Sequence, residues 1–326
     1  MQRLLVHCCA LAFGICCLAK PAAATMSCTM AMNNVAFGSF DVLAGSAINT
    51  TATASISCTG ATANATYRFC TNIREGPHVS GTQQNMASGA NLLPFNLYKD
   101  VNRTQSWGNW PQSFLGGGSQ NDFTSNGSGQ INATLTVYAA VPASQQSVKP
   151  ASYSETMASS ANNTLQYGSL SSGGSCPVGS STRQYSFTVT GTVITNCNIS
   201  TGILNFGSSP WLILANIDST ANITVQCTNT TPYSIGLDNG QNASGSQRRM
   251  VAAGRYINYG LYTDAAYSHA WLATTSTTSC TGGASTCILG TGTGSNQNVT
   301  VYGQVPAQTA PAAGTFADTV VVTVTF

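Results

Sequence analysis

The sequence predicts an all-β protein built as two tandem β-sandwiches, and three observations carry that reading. Charged residues make up only 6% of 326 positions, so the Glu/Lys pairs and Leu-rich faces that support long helices are missing. Short runs rich in Val, Ile, Thr and aromatic residues alternate with Gly/Ser/Asn/Pro turns, the pattern of a sandwich. The cysteine spacing then repeats: Cys28 and Cys58 stand thirty positions apart, and so do Cys197 and Cys227.

Residues 1–24 read as an export signal. Arg3 supplies a positive start, Leu4 to Leu18 an apolar stretch, and Ala22, Ala23 and Ala24 a small-residue cleavage site, with the cut placed after Ala24. As a membrane span the apolar run is short, and Lys20-Pro21 interrupts it. Removing Arg3 and Lys20 leaves nine basic residues against nine acidic ones. That neutral balance calls for neither nucleic acid nor an anionic membrane as partner. Low charge with plentiful apolar residues also argues against disorder.

Four of the twelve cysteines leave with the signal, and eight remain: Cys28, Cys58, Cys70, Cys176, Cys197, Cys227, Cys280 and Cys287. An even number in an exported chain suggests disulfides, and no CxxC points to metal or redox chemistry. Cys28–Cys58 and Cys197–Cys227 are the natural bonds within each half, each worth about 3–4 kcal/mol for loops of this length. Cys70–Cys176 and Cys280–Cys287 follow by elimination, although four cysteines allow three pairings and the sequence does not choose among them.

The duplication extends beyond the cysteines. Phe37-Gly38 and Phe206-Gly207 follow the first cysteine of each half at one offset, and Met86 to Tyr98 repeats as Met250 to Tyr262. Thr136 to Pro142 repeats as Thr300 to Pro306. Strands are expected in the first half at Ser55–Cys58, Thr66–Cys70, Leu92–Tyr98 and Ile131–Val141. In the second they are expected at Ile223–Cys227, Tyr233–Leu237, Tyr256–Tyr262, Asn298–Val305 and Asp318–Phe326. In the last of these, Val320, Val322, Val324 and Phe326 fall on one face of a period-two pattern. A strand this apolar at a sheet edge calls for a cover.

With these landmarks in register, the chain resembles the spore coat protein U domain family, the pilin fold of archaic (Csu-type) chaperone–usher pili. The residues that carry the resemblance are Cys197, Phe206-Gly207, Cys227, Leu261 to Asp264, Thr300 to Gly303, Val305-Pro306 and Phe316 to Thr319. In the first half they are Cys28, Phe37-Gly38, Cys58, Leu97 to Asp100, Trp107-Gly108, Tyr138, Val141-Pro142 and Tyr153 to Thr156. Two departures stand out: Trp107-Gly108 finds no counterpart after Asp264, and Thr156 does not lead into a Val/Thr strand. The resemblance implies two immunoglobulin-like pilin sandwiches (25–192 and 193–326), the second incomplete and needing a donor strand beside Val320, Val322, Val324 and Phe326. It also implies the partners: a periplasmic pilus chaperone that fills this groove first, an outer-membrane usher, and the next pilus subunit, whose N-terminal extension replaces the chaperone by strand addition.

A shaft subunit needs its own donor strand ahead of the first cysteine. Only Thr25, Met26 and Ser27 lie between the expected cut and Cys28, a reach of about 10 Å. The chain is therefore expected at the fibre tip, accepting a strand and giving none. Tyr185 to Val193, alternating Tyr185, Phe187 and Val189 on one face, reads as extra strand material that closes the first sandwich. Which of its two final strands it forms stays open.

Catalysis has little support. His78 beside Gly76-Pro77 and His269 read as loop residues, Asp100 and Asp264 as turn residues, and the known nucleophile and metal motifs are missing. No cofactor is expected. The most conspicuous surface signal is Trp107, Trp110, Phe114 and Leu115 beside Gly116 to Gly118. Trp107 also fits the family's structural pattern, whereas the other three read as an apolar loop tip at the distal end that grips a biotic or abiotic surface. The loops at 74–78 and 143–151 are placed nearby. The sequence thus reads as a tip adhesin acting in attachment and biofilm formation. The rival is a structural pilus or spore-coat-like subunit without its own receptor binding, and a sugar-binding module stands third. Intact-mass measurement of the exported protein should give a mature chain beginning at Thr25; a start well upstream would restore a donor strand and remove the tip assignment.

Overall fold

The computed structural model describes residues 25–81, 83–109, 116–159, 163–170, 176, 181–274 and 287–326. The expected signal, residues 1–24, lies outside them. Among the described residues every regular element is a β-strand, and they fall into two sandwiches with separate apolar cores.

In the first sandwich, alternation of side chains dictates the strands. Ile48–Thr59 turns Ala52, Ala54, Ile56 and Cys58 inward and the residues between them outward, as a half-buried strand requires. It pairs along its whole length with Ile131–Val141. The larger sheet runs Ser27–Met32, Ile48–Thr59, Ile131–Val141, Asn91–Tyr98, Gln83–Ser88, Ala151–Met157, Phe187–Val193, Val35–Phe40. A smaller sheet, Ser181–Gln184, Thr164–Ser169, Thr66–Asn72, Ser119–Thr124, packs across it. Between them lie Phe69, Met86, Leu93, Phe95, Trp107, Tyr153, Leu165 and Val189. Burial of each large side chain there stabilises the sandwich by about 1.5–3 kcal/mol.

The place of residues 185–193, open in the sequence, is decided here. Phe187–Val193 runs antiparallel to Ala151–Met157 and parallel to Val35–Phe40, filling the slot between them. Phe187, Val189, Gly191 and Val193 face inward and are buried, with Thr188, Thr190 and Thr192 between them on the other face. Because Val193 belongs to this strand, the first core extends one residue past the expected boundary at 192. The other final strand is Thr164–Ser169, antiparallel to Thr66–Asn72. Its sequence, Thr-Leu-Gln-Tyr-Gly-Ser, is not the Val/Thr run of the second half, so that departure stands although a strand occupies the equivalent place.

The second sandwich repeats the plan. Its sheets run Cys197–Thr201, Ile217–Cys227, Gln297–Val305, Arg255–Tyr262, Arg248–Ala252 and Cys287–Thr291, Pro232–Leu237, Val322–Thr325, with a two-stranded ribbon of Leu212–Ile213 and Gln308–Thr309. Asp318–Phe326, expected as one strand, pairs only over Val322–Thr325, against Ser234 to Leu237. Upstream, Ala317 makes an isolated bridge to Val251, as Ser154 pairs Ala87 in the first sandwich. The remaining pairing is missing because, among the described residues, no strand occupies the slot that Phe187–Val193 fills in the first sandwich.

The family signature missed one equivalence. Trp271, like Trp107, is buried and donates its backbone N–H to the strand leucine ten residues earlier, Leu261 for one and Leu97 for the other. Trp271 is thus the counterpart of Trp107, hidden because Leu272 replaces Gly108.

The sandwiches meet where Val193 leaves the first. Asn196 Nδ2 donates to Asp41 Oδ2 at 2.6 Å, and Asn229 Nδ2 to the Ser147 carbonyl at 2.6 Å. Gly294, at φ +79°, lies so close to the Gln146 carbonyl that a Cβ would stand 2.0 Å from it, so glycine is required on both counts. Phe187→Ala should destabilise the first sandwich by about 3–5 kcal/mol and Phe187→Leu by less than about 1.5 kcal/mol, read from its urea transition.

Candidate functional site

The slot left empty in the second sandwich is a groove of about 840 Å³, the size of a complete ligand site. Its walls are residues 201–211 on one side and 312–320 on the other, with Met250, Ile257, Tyr259, Leu261 and Val301 as its floor. Beyond Thr201, which ends the strand Cys197–Thr201, neither wall belongs to a strand. Their main-chain groups therefore lack the ladder that the corresponding segments of the first sandwich make with Phe187–Val193.

Side-chain exposure records the same difference. Tyr153, Glu155 and Met157 are buried at 1%, 2% and 1%, whereas their counterparts Phe316, Asp318 and Val320 are only partly covered. Val35 and Phe37 are buried, while Leu204 and Phe206 are only partly covered. Ile203 and Trp211, at 90% and 66% exposure, stand at the groove's margin. An apolar concavity flanked by unpaired backbone suits an incoming strand, whose main chain pairs and whose alternate side chains fill the floor.

A polar knot anchors this floor. Asp318 Oδ1 accepts from the backbone N–H of Asn242 at 3.2 Å and from its Nδ2 at 2.9 Å, and Oδ2 accepts from the Tyr259 hydroxyl at 2.8 Å. Burial, then the Asp318 carboxylate, pushes the Tyr259 hydroxyl well above the ordinary phenol range, so it stays a donor. Beside it Arg248, 5% exposed, donates Nε and Nη2 to the Asp238 carbonyl at 3.0 and 2.6 Å and Nη1 to the Trp271 carbonyl at 2.6 Å. Burial lowers the Arg248 pKa. In the first sandwich the carboxylate is Glu155, which accepts from the His78 backbone N–H at 3.0 Å and lies 2.6 Å from His78 Nδ1.

Of the residues expected to form the groove, Val320 and Val322 line it. Val324 pairs with Ile235 and packs on the second core outside the lining, and Phe326 follows the strand, 52% exposed. Both fall past the point where the chain crosses from the open slot to the other sheet. Leu204, Phe206, Met250, Tyr259 and Phe316 line the groove unanticipated. Phe206 and Met250 are landmarks of the repeat, and that repetition is the signal the sequence offers for them.

Trp107 is not part of an exposed surface. It is 2% exposed, and its Nε1–H donates to the Thr71 carbonyl at 3.0 Å, so it is a core residue. Trp110, Phe114 and Leu115 lie outside the described residues. The segment carrying them leaves from Gly108 and returns at Gly116-Gly117, where Gly108 N–H donates to the Gly117 carbonyl. These anchors sit by the Thr71/Ser119 end of the smaller sheet. The end remote from the second sandwich is formed instead by the turns at 60–65 and 125–130. Residues 143–151 also do not flank a distal tip, since Ser147 contacts the second sandwich.

Cys28–Cys58 and Cys197–Cys227 are bonded, each pair standing directly opposite in its ladder, and Cys70–Cys176 spans 106 positions. Cys287 is disulfide-bonded; Cys280 lies outside the described residues. Asp100 and Asp264 cap turns. Backbone N–H of Gln105, with Thr104, holds Asp100 low, and Ser268, with the His269 N–H, holds Asp264 down to about 2. Carboxylates held ionised in this way are poor proton donors near neutrality.

Comparison with known proteins places this architecture. The family model described as Spore Coat Protein U domain matches residues 15–160 and again 183–323. The chain belongs to the Spore Coat Protein U domain family. Its second match begins at residue 183, so it includes the strand that closes the first sandwich. Among solved structures, the chain is similar to the complex of chaperone CsuC with tip adhesion subunit CsuE from the archaic chaperone–usher Csu pili of Acinetobacter baumannii. That similarity has a TM-score of 0.52 at 18% identity and covers 92% of this chain and 100% of that one. A more distant similarity, TM-score 0.37 at 11% identity over 91% and 94% of the two chains, is to the CupB6 tip adhesin from Pseudomonas aeruginosa. Comparison with curated protein sequences found no match. The two tandem Spore Coat Protein U domains thus share one plan and differ in whether the slot is filled.

Arg248→Met should destabilise the second domain by about 2–3 kcal/mol, because it leaves two buried carbonyls unpartnered. Arg248→Lys should recover only part, lacking the fork that serves both. Urea unfolding followed by tyrosine fluorescence measures both.

Proposed function

We propose that this protein is a non-catalytic adhesin subunit at the tip of a chaperone–usher pilus. It is exported through the periplasm and displayed at the cell surface, where it mediates attachment and biofilm formation. One observation carries the reading: two homologous sandwiches in one chain, the first closed by its own Phe187–Val193 strand and the second with that slot open. A sandwich with an open slot suits a subunit that is completed by a neighbour. A sandwich already closed has no such need and is free to face outward. Family membership and the shared fold with a tip adhesion subunit, which was solved with its chaperone, support the same reading.

In this scheme residues 1–24 direct export, the adhesin domain runs from 25 to the end of the Phe187–Val193 strand, and the pilin domain follows it to 326. A periplasmic chaperone lends a strand to the groove, the outer-membrane usher receives the complex, and the N-terminal extension of the next subunit takes the chaperone's place. Val320 and Val322 meet that strand from one side, Leu204 and Phe206 from the other. Trp110, Phe114 and Leu115 supply apolar contacts to a biotic or abiotic surface, by the burial that favours aromatic anchors at interfaces generally.

Mature chain produced alone should aggregate or bind a hydrophobic dye strongly, and co-expression with its chaperone should yield a soluble one-to-one complex. A stable, dye-negative monomer would count against an open groove. Replacing Trp110, Phe114 and Leu115 together with Ser should lower adhesion by about tenfold at unchanged surface display. Undiminished adhesion by correctly displayed fibres would favour the structural-subunit alternative.

A further inference from the structure

The first sandwich shows how a closing strand is read in this fold, and the second differs at one site. Gly191 faces inward opposite Tyr153. A Cβ there would lie 3.1 Å from the Phe40 ring, 3.5 Å from Phe37 Cβ and 3.6 Å from Met86 Cε. Glycine is thus imposed by crowding, with the Phe40 ring as the closest wall.

The matching site in the second sandwich lies opposite Phe316, as the paired bridges Ser154–Ala87 and Ala317–Val251 fix. Phe206 stands where Phe37 does and Met250 where Met86 does. The position of Phe40, three residues after Phe37, is taken by Ser209, an exposed residue on the groove's margin. Two of the three walls persist, and the closest one is reduced from a benzyl ring to a hydroxymethyl group.

We propose that the second groove selects a strand from a different subunit, carrying a large apolar side chain at the site opposite Phe316. A second copy of this chain offering residues 185–193 would be a poor occupant. This rests on the reading of the groove as a strand acceptor. The physical basis is the difference in filling. A glycine at this site leaves Phe316, Phe206 and Met250 facing a void, whereas a leucine removes that apolar surface from water. The same difference works as discrimination. The strand that closes the first domain carries glycine and leaves the second groove underfilled, so copies gain little from exchanging it. A strand suited to the second groove would collide with Phe40 in the first.

The test uses the full mature chain purified with its chaperone, and two synthetic peptides: residues 185–193 as they stand, and the same peptide with Gly191→Leu. Chaperone displacement is followed by native electrophoresis. The leucine peptide should displace the chaperone at least about ten times more readily than the glycine peptide. Ser209→Phe, which restores the missing wall, should remove or reverse that preference. Equal displacement by both peptides, or preference for glycine in the unaltered chain, overturns the proposed selectivity while leaving the groove a strand acceptor. Failure of both peptides, with a charged control equally inert, overturns the acceptor reading itself. If the Ser209→Phe chain does not fold, the two peptides on the unaltered chain still decide.

Discussion

A seven-residue strand, Phe187–Val193, holds the first sandwich shut, and most of what distinguishes the two halves depends on it. It satisfies the main chains of Ala151–Met157 and Val35–Phe40 at once, and its inward row seals the core between them. Both contributions come from the same residues, because a strand that pairs on both edges must also present alternate side chains to the interior. Where such a strand is missing, the flanking segments lose their ladder and the floor lies open.

The rest of the fold tolerates that loss because other constraints hold each sandwich in register. The disulfides Cys28–Cys58 and Cys197–Cys227 tie directly opposed positions of the first two strands. Trp107 and Trp271 are locked to the neighbouring strand through their backbone N–H groups. In the second sandwich, Arg248 clamps two carbonyls and Asp318 is held by Asn242 and Tyr259. With their buried side-chain nitrogens and oxygens partnered, Arg248 and Asp318 make a rigid platform rather than a collapsed one. The floor of the groove can therefore keep its shape before an occupant arrives.

Much of this was legible in the primary structure. Strands such as Ile131–Val141 announce themselves by alternation, and the thirty-residue cysteine spacing, repeated once, revealed the duplication. Three features were not legible. Trp271 escaped notice because its equivalence to Trp107 lies in a backbone hydrogen bond and not in the residue that follows. Val324 and Phe326 share the alternation of Val320 and Val322 but not the groove, because an alternating run gives no sign of where a strand crosses from one sheet to another. Trp107 stands beside the apolar loop in sequence although its ring is packed in the core, since proximity to Trp110 does not reveal burial.

Alternation and cysteine spacing are local properties of the chain, and they sufficed to establish the β class, the number of sandwiches and the cysteine pairs that tie their first strands. Which strand fills which slot emerges from the folded arrangement alone. The hydrogen bonds that reward pairing are made by main-chain groups common to nearly every residue, so an edge does not name its partner in advance. Here that choice separates a first domain completed from within from a second domain with its groove open.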